Sequence, residues 1–91
     1  MSVGSMQAVI LCRHVAEDPE RMARGSRSAP VAPEDSGWVF YCADGDHTDE
    51  TGAQVWCVSD LLRLEPGLSN LLNSPVESTV HKDNLGHWLR S

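Results

Sequence analysis

The chain has 91 residues, thirteen acidic and seven basic, giving a formal charge of −6 and a pI near 4.9. That length favours one domain over residues 1–91, because two halves would each lack a core, and a chain of this size buries only about 60–65% of its unfolded surface. The acidity argues against nucleic acid as a direct ligand, since phosphate binding needs a basic stripe that seven scattered cations do not make.

No run approaches the roughly 18 apolar residues of a membrane span. The first fifteen residues lack the basic start and unbroken apolar stretch of a secretory leader. The expectation is therefore a soluble, cytoplasmic protein with no membrane partner. Cys12, Cys42 and Cys57 fit neither a paired disulfide framework nor a CxxC metal clip. Each sits in an apolar run, where a thiol reads as a small core side chain.

In chain order, residues 1–5 read as a frayed, flexible end. Residues 6–12 are apolar on both faces, as an interior strand should be, and Arg13, His14 and Glu17 end the run. Asp18-Pro19 signals a reversal. Residues 20–28 alternate weakly around Met22 amid Arg21, Arg24 and Arg27, which predicts a charged edge strand paired with the first. Residues 29–34 are a Pro-rich connection.

Asp35, Ser36 and Gly37 form a turn signal that launches Trp38-Val39-Phe40-Tyr41-Cys42, the most β-prone run in the chain. Trp38 and Phe40 share one face under the period of two and mark the centre of the core. Residues 43–52 are the most acidic stretch and must be a solvated loop, because burying four carboxylates would cost too much in desolvation.

Val55-Trp56-Cys57-Val58 is a second apolar run. Ser59 and Asp60 then offer an N-cap and a first-turn acid for a helix whose Leu61, Leu62 and Leu64 would face the sheet. Pro66 interrupts that helix and starts a short second one with Leu68, Leu71 and Leu72 on one side. Partial alternation over 76–83, a turn at Asn84-Leu85-Gly86 and His87-Trp88-Leu89 predict a terminal hairpin.

Tests for chemistry come out negative. Asp44, Asp46 and Thr48 match positions 1, 3 and 5 of a calcium loop, but Asp49 stands where Gly is needed and Val55 where a bidentate Glu should close the cage. His14, His47, His81 and His87 show no metal-helix spacing. Cys12 and His14 alternate onto one strand face, yet nothing adjacent in sequence supplies an orienting carboxylate or an oxyanion nest. No phosphate loop is present. The expectation is a non-enzyme with no cofactor and no metal.

Binding features are more promising. Asp44, Asp46, Asp49 and Glu50 would meet a basic protein surface, and complementary charge raises association rates and rejects wrong partners. Trp88 beside the terminus is a large side chain of the kind enriched at interface hot spots. Trp38 and Trp56, with apolar neighbours, are expected in the core.

Cys12-Arg13-His14-Val15, Asp35-Ser36-Gly37-Trp38, Gly45-Asp46, Val55-Trp56 through Ser59, Glu65-Pro66-Gly67-Leu68 and Ser74-Pro75 occur in an order that resembles the immunity protein thirty-three family. The resemblance runs from about residue 8 to 88. It implies a small α+β domain that protects a bacterium by binding a polymorphic toxin, with no catalytic residues to carry over. Two departures from the family pattern are the Arg- and Ser-rich stretch at 20–28 and Glu77, which stands where a small residue is usual.

The sequence thus predicts an α+β fold, an antiparallel sheet of about four strands with one or two short helices packed on one face. The expected function is stoichiometric neutralisation of a cognate toxin or other basic protein, by a monomer or weak homodimer. The alternative is a small cytoplasmic regulatory or scaffold domain with no toxin partner.

Overall fold

A computed structural model describes residues 4, 6–44 and 52–91. Six strands build one sheet: β1 (Ala8–Leu11), β2 (Met22–Arg27), β3 (Asp35–Cys42), β4 (Gln54–Cys57), β5 (Thr79–Lys82) and β6 (Trp88–Arg90), in the order β4-β1-β3-β2-β5-β6. Two short helices, α1 (Arg13–Glu17) and α2 (Val58–Leu64), and two 3-10 turns at Pro19–Arg21 and Pro66–Leu68 complete the fold. The α+β class holds. The strand number and the wholly antiparallel arrangement do not, because β1 runs parallel to β3 while every other pairing is antiparallel.

The difference begins at α1. Arg13, His14 and Glu17, which read as a polar stop, are the wetter positions of a single helical turn whose Val15 is buried in the core. That turn and the following 3-10 turn carry the chain across one strand position, so β2 lands two places from β1 and β3 inserts between them. The expected pairing of residues 20–28 with the first strand therefore does not form. β2 is an interior strand between β3 and β5, its Arg24 pointing to solvent and its Gly25 buried. A Cβ on Gly25 would come within 2.5 Å of the Phe40 ring, so only glycine lets that ring lie flat across the strand.

The Asp-Ser-Gly segment is not a turn ahead of β3 but an irregularity inside it. Ala8 pairs with Asp35 and Ile10 with Val39, leaving Ser36, Gly37 and Trp38 opposite Val9 alone. Its side chains satisfy the groups this leaves behind. The buried Ser36 hydroxyl donates to the Ala8 carbonyl at 2.6 Å and accepts from the Trp38 amide at 3.2 Å, while Asp35 accepts from the amides of Gly37 and Val31. Gly37 has φ +82°, and a Cβ there would sit 2.2 Å from the Ser28 carbonyl oxygen. No side chain fits.

One face of the sheet carries the core. Trp38 and Phe40 are fully buried and stack at 5.5 Å, and Trp88 meets Phe40 edge-on at 6.0 Å. Val9, Leu11, Val15, Val58, Leu61, Leu68 and Leu72 pack around them, so both helices contribute to this one cluster. Polar contacts tie the segment after α2 to the sheet. The Trp38 indole donates to the Leu72 carbonyl at 2.8 Å, and the Arg27 guanidinium donates to the carbonyls of Ser36, Leu72 and Ser74.

The α2 helix starts at Val58, one residue ahead of the expected cap, with Asp60 in its first turn. Leu61 faces the sheet as expected, but Leu64 is 44% exposed. Pro66 opens a 3-10 turn rather than a helix, and still buries Leu68 and Leu72. The terminal hairpin forms as β5 and β6, joined to α2 by the Glu65 carboxylate, which accepts from both Lys82 Nζ and Trp88 Nε1.

Candidate partner interface

Strand alternation gives the sheet a second face with quite different chemistry. Val55, Ile10 and Val39 line up across β4, β1 and β3, followed by Tyr41, Arg24, His81 and Leu89 across β3, β2, β5 and β6. These side chains are half-buried or exposed, Val55 by 68%. The buried residues of both helices belong to the opposite cluster, so among the described residues no helix covers this face.

Toward the β5 side the open face dips into a concavity of about 450 Å³, walled by Arg24, Tyr41, His81 and Lys82. His81 Nδ1 lies 2.8 Å from the Ser91 hydroxyl, which fixes the ring at the rim. Ala43 also lines the concavity, and Asp44 follows it in the sequence. The Asp44 side chain is 73% exposed and pairs with Arg21 at 3.4 Å, a contact that solvent screens heavily. Of the acidic residues proposed from sequence, Asp44 is thus an exposed charge two residues past the end of β3. Asp46, Asp49 and Glu50 lie outside the described residues.

Trp88 requires a correction. It is only 8% exposed, held between Phe40 and Lys82, whose ammonium lies 5.4 Å from the ring centroid. Period-two alternation turns it inward opposite Lys82, so it anchors the hairpin instead of projecting from the terminus. Trp56 is half-buried against the core and, with Pro19, Arg63 and Leu64, lines a shallower apolar groove of about 480 Å³ beside α2. In the hairpin turn, the Asp83 carboxyl is held below its usual value. The largest cause is a hydrogen bond from the His87 amide; partial desolvation opposes it, and the Leu85 amide and the nearby His87 and His81 charges add to it.

The fold also brings together residues that spacing kept apart. Cys12 caps the start of α1, His14 lies in that helix, and Cys42 ends β3; their Sγ, imidazole nitrogen and Sγ atoms all fall within 4.8 Å of one another. Cys12 and His14 do meet, but through the helical turn and not through the strand alternation expected from sequence. Cys42 was the missing member, and only the parallel β1–β3 pairing puts it there. None of the three cysteines is in a disulfide among the described residues.

Among the described residues no helix is long and apolar enough to cross a membrane. No curated protein and no solved structure matches the chain. The family model for the immunity protein Imm33 domain matches residues 9–91, so nearly the whole chain is covered, and with it the bulged strand, the α1 turn and the hairpin. The protein belongs to the immunity protein Imm33 domain family.

Proposed function

We propose that this protein is a non-enzymatic immunity protein that neutralises a cognate toxin in the cytoplasm by binding it one to one. Membership of the immunity family is the observation that carries the reading. The interface we assign is the open sheet face around Tyr41, Arg24 and His81, with the acidic stretch that begins at Asp44 following in sequence the lining residue Ala43. Tyr and Arg are the residue types that most often dominate binding energy, and here they stand on rigid strands, so little ordering entropy is lost on docking. The carboxylates Asp44, Asp46, Asp49 and Glu50 would steer a basic toxin toward that face.

The test is association kinetics with the toxin encoded beside the gene. Neutralising the four carboxylates together (Asp44→Asn, Asp46→Asn, Asp49→Asn, Glu50→Gln) should slow association by roughly tenfold or more at low salt and flatten its salt dependence. An unchanged on-rate removes the acidic segment from the mechanism. Absence of any toxin in the gene neighbourhood, with a metabolite or host protein recovered at one to one, replaces the reading by that of a regulatory or scaffold domain.

A further inference from the structure

The Cys12, His14 and Cys42 cluster has a geometry that core packing does not require. Burial of two small thiols is ordinary. What is not ordinary is that a half-exposed imidazole turns its Nδ1 to within 3.9 Å of the Cys42 sulfur while the Cys12 sulfur lies within 4.8 Å of both. Three atoms no more than 4.8 Å apart share a centre lying at most about 2.8 Å from each. Metal–thiolate and metal–imidazole bonds are ~2.3 and ~2.0–2.1 Å, so a shift of roughly half an ångström per donor would complete the bonds.

We infer that Cys12, His14 and Cys42 form a three-donor site for a zinc-class divalent ion. Two sulfurs and one imidazole select soft or borderline metals over calcium and magnesium, which take oxygen ligands. Charge balance favours the same ion. On binding, each thiol transfers its proton to solvent, and two thiolates neutralise the dication, so the buried complex carries no net charge. The two cysteines are inaccessible from outside, whereas His14 is partly exposed and provides the entry path. Three protein ligands leave a fourth tetrahedral position for water.

The site would clamp the start of α1 to the end of β3, two residues before Asp44. The site itself rests on the donor geometry and stands whether or not the partner is a toxin.

The experiment is titration of the reduced full-length protein with cobalt(II), followed by zinc(II) competition. The expected result is one equivalent of cobalt giving tetrahedral d–d bands and a thiolate charge-transfer band, displaced by one equivalent of zinc. Cys42→Ala, Cys12→Ala and His14→Gln should each weaken binding by roughly a hundredfold or more, whereas Cys57→Ala, away from the cluster, should not. Circular dichroism of each variant reports folding. His14→Gln changes a half-exposed residue and keeps the test valid if a buried cysteine variant fails to fold. Absence of tetrahedral cobalt absorption in the folded protein, or absorption that survives His14→Gln and Cys12→Ala at full affinity, overturns the assignment. Toxin binding is not part of the readout, so this failure and that of the proposed function are separable.

Discussion

The same strands supply both faces of the sheet, one residue apart, yet the faces have opposite physical characters. Trp38, Phe40 and Val80 lie on one side and are shielded by α1, α2 and the 66–74 segment; Val39, Tyr41 and His81 lie on the other and keep access to solvent. On the packed side, every ring has a neighbour and each buried indole N–H has an acceptor. The open side has an aromatic, a guanidinium and an imidazole around a concavity. A substitution on the first face should therefore register as stability, and one on the second as binding.

The largest expected effect breaks the packed face outright. Trp38→Ala removes the central ring and orphans the Leu72 carbonyl, and should destabilise by about 3–5 kcal/mol in chemical denaturation. Gly25→Ala tests the same face from the sheet side: a methyl forced against Phe40 should cost roughly 1–3 kcal/mol, and the loss should shrink when Phe40 is also shortened.

Glu77→Gly should act in the opposite direction. Glu77 has φ +76°, a left-handed conformation that costs a non-glycine residue about 1–2 kcal/mol, so relief of that strain, less the extra chain entropy of glycine, should raise stability by roughly 0.5–1 kcal/mol. Tyr41→Ala with Arg24→Ala on the open face, the former removing a half-buried ring that also packs against the edge of the core cluster, should together lower the unfolding free energy by no more than about 1 kcal/mol.

The smallest effect is in acid. The Asp83 carboxyl is lowered below 3.8 by folding, so its stabilising contribution is fully present above the unfolded value and lost as pH falls through the lower folded one. Asp83→Asn should therefore be less stable than the parent at neutral pH, with the gap closing on acidification below that value. A gap that persists at the lowest pH would assign the role to the turn geometry and not the charge.

Much of the packed face was legible in the sequence, because period-two alternation of large rings at 38 and 40 leaves few alternatives. The hairpin was legible for related reasons, as was the inward Leu61 of α2, whereas Leu64, expected against the sheet, is exposed. The topology was not. It turned on whether five residues, Arg13–Glu17, formed one helical turn, and so short a turn has too little periodicity to read. Once that turn was missed, β2 became an edge strand and the parallel β1–β3 pair had no signal. The same short turn hides the cysteine–histidine cluster, whose members come from the start of α1 and the end of β3, 28 residues apart at His14 and Cys42. Trp88 lies near the terminus in sequence yet is buried, because its partners Glu65 and Phe40 lie far back in the chain and local pattern does not reveal them. The Asp-Ser-Gly-Trp signature, the most distinctive piece of the sequence, is scaffolding: its polar atoms hold a bulged strand together.

The division between the faces is tested most directly by titrating the cognate toxin calorimetrically against the parent and the Tyr41→Ala, Arg24→Ala double variant, with thermal melts of both. The account predicts that affinity falls by roughly tenfold or more while the melting temperature drops by no more than about 4–8 °C. Unchanged affinity for the double variant, with binding lost instead on substitution of Arg63 and Leu64 beside the α2 groove, would contradict it.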